Sequence, residues 1–301
     1  MEFQKKCDQA ETLRALSHEF EYKKQRKTKG LKTARVVSIT SGKGGVGKTI
    51  CVANLAVVMA KRGYRVLVID ADLGLANIDL HFGLNPKFNL NHFFAGEKPL
   101  QDILVQTTCG ITVLPAGSGL QQYTHLDSTQ KLHLMEEIDL LHGRFDVVLI
   151  DTEAGISENV TYFILASQEI IVITTPEPTA LSDAYALMKL LSTMFNEKKF
   201  KLVVNSVVSE NEALDAYQKL ILVSSRFIDI SIDFLGAIPM DKRFVDSVRK
   251  QKTIVELFPK AKPSLAFEEL VENIELKSEK QAQKGSMQFF WKNMLSYSEA
   301  Q

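Results

Sequence analysis

Cysteine is scarce in this chain: three residues, Cys7, Cys51 and Cys109, with no close spacing between any two. That excludes a disulfide framework and a CxxC metal pair, and it suits a reducing cytosol. A charge excess is missing too. Thirty-six Lys plus Arg face 36 Asp plus Glu, a formal net charge of +0, so no global positive field holds the chain to nucleic acid. No run of about 18 apolar residues exists to span a membrane. The start, Met1-Glu2-Phe3-Gln4-Lys5-Lys6, has no apolar segment behind it, which argues against a secretory signal. Internal repeats and low-complexity segments are absent. What is there is ordinary globular composition, 45% hydrophobic and 24% charged, with length for one or two domains.

Three regions follow from the patterning. Residues 8–22 place Ala10, Leu13, Leu16 and Phe20 at helical spacing, and the basic run Lys23 to Arg35 carries no acid and reads as a solvated linker. From Arg35 onward short, almost continuous apolar runs recur at 36–39, 66–69, 147–150, 170–173, 202–204 and 234–238. Such runs suit strands covered on both faces. Helical stretches at 49–62, 178–195 and 241–250 lie between them. The spacing therefore predicts an α/β fold, a mostly parallel twisted sheet flanked by helices on both faces. Its domain, 35–282, ends in a helix opened by Pro263-Ser264, and is preceded by an N-terminal helical extension and basic linker (1–34). A C-terminal amphipathic tail (283–301) follows, in which Met287, Phe290, Trp291, Met294 and Leu295 form an apolar stripe with the only tryptophan. That stripe suits an interfacial membrane helix, or equally a helix packed on the body.

Chemistry concentrates in Ser41-Gly42-Lys43-Gly44-Gly45-Val46-Gly47-Lys48-Thr49. It fits the phosphate-binding pattern G-x-x-x-x-G-K-[ST], with a strand before it and a helix after it. Glycines turn backbone N–H groups inward, the helix N-terminus adds positive potential, and the Lys48 ammonium neutralises phosphate oxygens. Thr49 supplies the hydroxyl expected on Mg²⁺. Acids should stand at neighbouring strand ends. Asp70 and Asp72 follow one apolar run and Asp151 another. No histidine or cysteine nucleophile is needed, because phosphoryl transfer rests on positioning and charge stabilisation. A guanine-reading Asn-Lys-x-Asp is lacking; Asn205, at a strand end, could read an adenine edge or simply cap a turn. By spacing alone Lys43 is equally well a surface charge.

The loop Gly42-Lys43-Gly44-Gly45-Val46-Gly47-Lys48-Thr49 resembles the deviant Walker A motif of the MinD/ParA class of P-loop ATPases. The resemblance implies an ATP/ADP and Mg²⁺ site and an ATP-dependent homodimer in which Lys43 reaches the partner's phosphates. It implies catalysis by Asp72, which positions water, with Lys43 and Lys48, and a metal shell of Thr49, Asp70 and Asp151. It also implies base contacts from Asn205 and from the loop at Pro239. After Asp151 the family usually has Ser or Thr, Gly or Pro, then Ala-Gly. Here Glu153 intrudes, and its carboxylate should point away from a phosphate.

Both ends extend the resemblance. Asp8-Gln9-Ala10-Glu11-Thr12-Leu13-Arg14 is similar to the N-terminal pattern of the flagellar-number regulators of the FlhG, YlxH or FleN type, and 175–186 resembles a signature of the MinD and flagellar branch. That implies partner contacts from Asp8, Gln9, Leu13 and Arg14 to an FlhF-type GTPase. It further implies membrane contact through the tail, a cytoplasmic protein at the inner face of the cytoplasmic membrane, and flagellar switch components or a transcription regulator as further partners. No specific nucleic acid is expected. A ParA-like partitioning or division-site ATPase is the alternative. Iron–sulfur relatives with the same loop need paired cysteines, which Cys51 and Cys109 do not offer.

Overall fold

The structure is a computed structural model that describes residues 34–74, 77–117, 126–141 and 143–278. The chain divides into two units, Met1–Thr33 and Ala34–Gln301, and every described residue belongs to the second. The N-terminal partner helix (Asp8, Gln9, Leu13, Arg14), the basic linker up to residue 33 and the apolar tail (Met287 to Leu295) lie outside the described residues, as do Leu75 and Ala76.

Six long strands, β1 (Arg35–Thr40), β2 (Val66–Ala71), β5 (Val147–Thr152), β6 (Glu169–Thr174), β7 (Lys199–Val207) and β8 (Ser231–Pro239), run parallel. Two short ones, β3 (Val105–Gln106) and β4 (Thr112–Leu114), complete one sheet in the order β3-β4-β2-β5-β1-β6-β7-β8. Among the described residues only the β3–β4 pair is antiparallel. Every residue of β2 and β5 is buried, which is why these strands show no polar alternation: both faces are covered.

Successive side chains point to opposite faces, and the cores divide accordingly. On one face Val37, Ile39, Val68, Leu149 and Ile171 pack under α1 (Lys48–Lys61), α10 (Ile254–Leu257) and α11 (Lys262–Ser278). On the other, Val36, Leu67, Ile69, Val148 and Ile150 meet α3 (Leu90–Phe94), α4 (Leu100–Ile103), α5 (Ser128–Leu140) and α6 (Glu158–Leu165). Further along that sheet, Ile170, Val172, Leu202 and Val204 pack with α7 (Pro178–Phe195) and α8 (Glu210–Phe227). The remaining short helices are α2 (Ile78–Phe82) and α9 (Arg243–Arg249). Helix α1 is buried from Cys51 to Met59, the signature of a helix apolar all round and enclosed by its neighbours.

The N-cap of helix α7 is Glu177, not Thr179, and Pro178 takes the first helical position. Proline fits there because its missing N–H would be unpaired anyway and its φ is preset. The Thr179 hydroxyl is therefore released for another partner.

Candidate nucleotide site

Central strand β1 ends at Thr40, and the loop that follows turns straight into α1. The crevice at the carboxyl ends of β1, β2, β5 and β6 is where an open α/β sheet binds ligands. Gly42 has no room for a side chain: a Cβ there would stand 2.2 Å from the backbone of Asp183 in α7. Gly47 caps α1 at φ 88°, and a Cβ on it would lie 2.3 Å from Asn205 Nδ2. Only glycine holds that left-handed turn at that distance. The first turn of α1 contains no acid, so its positive end stays available to an anion.

Lys48 Nζ donates to Asp151 Oδ1 at 2.7 Å, with side chains 8% and 1% exposed. Asp70 stands in register with Asp151 on the adjacent strand. Burial pushes the Asp70 carboxyl well above the usual range and the Asp151 charge pushes it further, against the backbone N–H groups of Asp72 and Ile78. These N–H groups donate to Asp70 Oδ1 at 3.1 Å and Oδ2 at 3.4 Å. Asp151 is raised by burial and held down by Lys48 and by its hydrogen bond with Thr49. Two enclosed carboxylates, a lysine and a threonine hydroxyl thus converge beside the loop. The donor set is all oxygen, as a hard divalent cation requires. Among the described residues no group of three or more His, Cys, Asp or Glu is placed to hold a metal. Cys51 is buried in α1, where burial first, then Asp151, raises its thiol, leaving it inert.

Asp72 is half-buried one step beyond β2, within reach of the same crevice. Glu153 is exposed and accepts from Ser157 Oγ at 3.3 Å, at the start of α6. Its backbone carbonyl accepts from Thr152 Oγ1 at 3.0 Å. Gly155 N donates to Ser41 O at 2.9 Å, which ties this second loop to the first. Lys43 stays at the rim, where its Nζ donates to Glu177 Oε2 at 3.0 Å and Thr179 Oγ1 at 2.9 Å. Asn205, buried at the end of β7, donates from Nδ2 to Val46 O at 2.7 Å, so its amide nitrogen holds the loop. Pro239, ending β8, is paired opposite Val207.

Sequence reasoning missed two supports of this site. Glu177 and Asp183 enter the sequence reading only as members of the stretch 175–186, with no role of their own. The signal for Glu177 was its place beside Thr179 after a strand end. No local signal marks Asp183, because its backbone meets Gly42 from far along the chain.

Fold and loop together define a P-loop nucleotide hydrolase of the deviant Walker A kind. Residues 34–246 match the AAA domain family model. Antiactivator FleN of Pseudomonas aeruginosa is 36% identical over 87% of this chain and 94% of its own. Flagellum site-determining protein YlxH of Helicobacter pylori is 33% identical over 87% of this chain and 90% of its own. The solved septum site-determining protein MinD of Pyrococcus horikoshii, complexed with Mg-ADP, superposes with TM-score 0.68 at 27% identity, over 83% of this chain and 99% of that one. The chain belongs to the MinD/ParA-type P-loop ATPases, in the branch that holds FleN and YlxH. It is an ATPase.

Proposed function

We propose that this ATPase is a dimeric switch governing the number or placement of flagella, as the names of its FleN and YlxH relatives suggest. The observation that carries the switch reading is Lys43. It lies in the phosphate loop yet rests on Glu177 and Thr179 at the rim, while Lys48 already serves the chain's own site. A second lysine so placed is suited to the phosphates of a facing copy.

Within one copy, loop N–H groups from Gly42 to Thr49 and Lys48 hold the phosphates of ATP or ADP. Thr49, Asp70 and Asp151 hold Mg²⁺ directly or through water. When bound, the ion spreads the charge of the transferring phosphoryl group. Asp72 orients the attacking water. Asn205 leaves its amide oxygen to accept an adenine amine, since its nitrogen is engaged with Val46, and the Pro239 loop flanks the base. Asp8, Gln9, Leu13 and Arg14 contact an FlhF-type GTPase and stimulate it. Met287, Phe290, Trp291, Met294 and Leu295 place the ATP-bound dimer on the inner face of the cytoplasmic membrane. No helix among the described residues is long and apolar enough to cross it.

Asp72→Ala tests the cycle. It should bind ATP, elute as a dimer with ATP and a monomer with ADP, float with lipid vesicles only as the dimer, and turn over at least roughly a hundred-fold more slowly. Normal hydrolysis by this variant would remove the water-positioning role. Vesicle binding that ignores nucleotide would remove the membrane switch.

A further inference from the structure

The neutral total conceals an uneven surface. Between Met240 and Leu265 seven cations face three acids. Of those acids, Asp241 is committed to Arg243 at 2.7 Å, and Glu256 accepts from Thr253 and Cys109. Helix α9 organises this stretch. Its inner side is fixed: Ser247 is buried and donates from Oγ to Phe244 O at 2.8 Å, and the Phe244 ring meets Phe267 of α11 edge-on at 6.5 Å. Its outer side presents Val245, 54% exposed, and Val248, 42% exposed, one helical step apart. Lys242, Arg249, Lys250 and Lys252, all exposed, flank them along the chain. Asp246 is the acid on this helix, and α11 exposes Glu268 and Glu269.

Cations around apolar tips are the recognition chemistry of an anionic lipid surface. Phosphate backbones of nucleic acid would satisfy the lysines but give the two valines nothing to bury against. We propose that the outer face of α9 is a second membrane contact, selective for anionic phospholipid headgroups and separate from residues 283–301. It deepens the membrane reading above and adds lipid selectivity, which the nearly uncharged stripe of the tail does not supply. Each cation near such a surface contributes about 1 kcal/mol, and the attraction fades within a Debye length of about 10 Å at 0.1 M salt. Weak binding with steep salt dependence is the expected behaviour.

The full-length chain with ATP is floated with vesicles of phosphatidylglycerol plus phosphatidylcholine, and with phosphatidylcholine alone. Arg249→Glu with Lys250→Glu should lower affinity for the anionic vesicles by at least about thirty-fold. It should leave neutral-vesicle binding and ATP hydrolysis unchanged, the latter showing that the variant is folded. Val245→Ser with Val248→Ser should weaken anionic-vesicle binding several-fold while keeping its salt slope. Undiminished anionic-vesicle binding by the charge variant overturns this surface, and leaves the tail reading intact if deletion of 283–301 abolishes flotation. A charge variant that loses duplex DNA binding while vesicle binding holds would make the partner nucleic acid and overturn the proposal. Wild-type chain that floats with neither vesicle overturns both membrane readings.

Discussion

Gly47 shows how narrowly one residue can set the phosphate loop. Its φ of 88° is the left-handed region, and the space where a Cβ would go is filled by Asn205, whose nitrogen holds Val46 O at 2.7 Å. Gly47→Ala therefore meets backbone strain of about 1–3 kcal/mol and a displaced amide at once. Calorimetric titration should show ATP affinity reduced roughly ten- to hundred-fold, with circular dichroism unchanged because the strain is confined to the loop. Native affinity in this variant would mean that the loop tolerates a different turn. At this scale the site was legible wherever chemistry is local: glycines, Lys48 and Thr49 by spacing, and Asp70 and Asp151 at the ends of apolar runs. The supports were not. Asn205 reads in the sequence as a base contact or a turn cap, and only packing shows it clamping Val46. Gly42 owes its identity to the backbone of Asp183, and Lys43 its resting place to Glu177.

Elements were readable in proportion to their length. Helix α7 occupies the stretch the apolar spacing predicts, 178–195, and the six long strands contain every predicted run. Strands β3 and β4, of two and three residues, and helices α2 to α4, of four or five, are too short to display a period. Nor could periodicity reveal the tie at the other end of the sheet. Arg35 Nη2 donates to Glu169 Oε2 at 2.8 Å and to Ile274 O at 3.0 Å, and Lys201 pairs with the same glutamate, so β1, β6 and β7 meet on one largely enclosed carboxylate and Arg35 ties α11 to them. Burial opposes its charge, but Arg35 and Lys201 outweigh burial and hold Glu169 below its usual pKa. Glu169→Gln strands two cations, one of them almost wholly enclosed, and should cost about 3–5 kcal/mol in urea unfolding at neutral pH. A depressed folded pKa gives stability that is complete above the unfolded value, about 4.3, and lost as pH falls through the folded one. The gap between wild type and variant should thus be full at pH ~7 and close in acid, below about pH 4. A gap that persists in acid would assign the cost to packing instead of charge.

On the proposed dimeric switch the whole molecule converts nucleotide state into association, and Lys43 is where that conversion can be separated from binding. Its ion pair with Glu177 joins side chains 38% and 66% exposed. A pair so hydrated is worth about 0–1 kcal/mol, little enough to be exchanged for the phosphates of a facing copy. Lys48, by contrast, is enclosed beside Asp151 and cannot leave its own site. Lys43→Ala should therefore keep the ATP affinity of a single chain within about two-fold, because its ammonium rests on Glu177 and Thr179 at the rim. Sedimentation velocity with ATP should find it monomeric at concentrations where wild type is dimeric. Vesicle binding should fall with it, since one tail replaces two and the avidity of a linked pair, roughly 10²–10⁴-fold, disappears. An ATP-dependent dimer of Lys43→Ala would refute the cross-chain role, and loss of ATP binding would show instead that Lys43 serves the phosphates of its own chain. Both lysines of one loop would then be needed for one nucleotide, and the rim contacts with Glu177 and Thr179 would be no more than a surface detail. Monomeric, ATP-bound Lys43→Ala that leaves vesicles unbound is the outcome that joins the loop to the membrane.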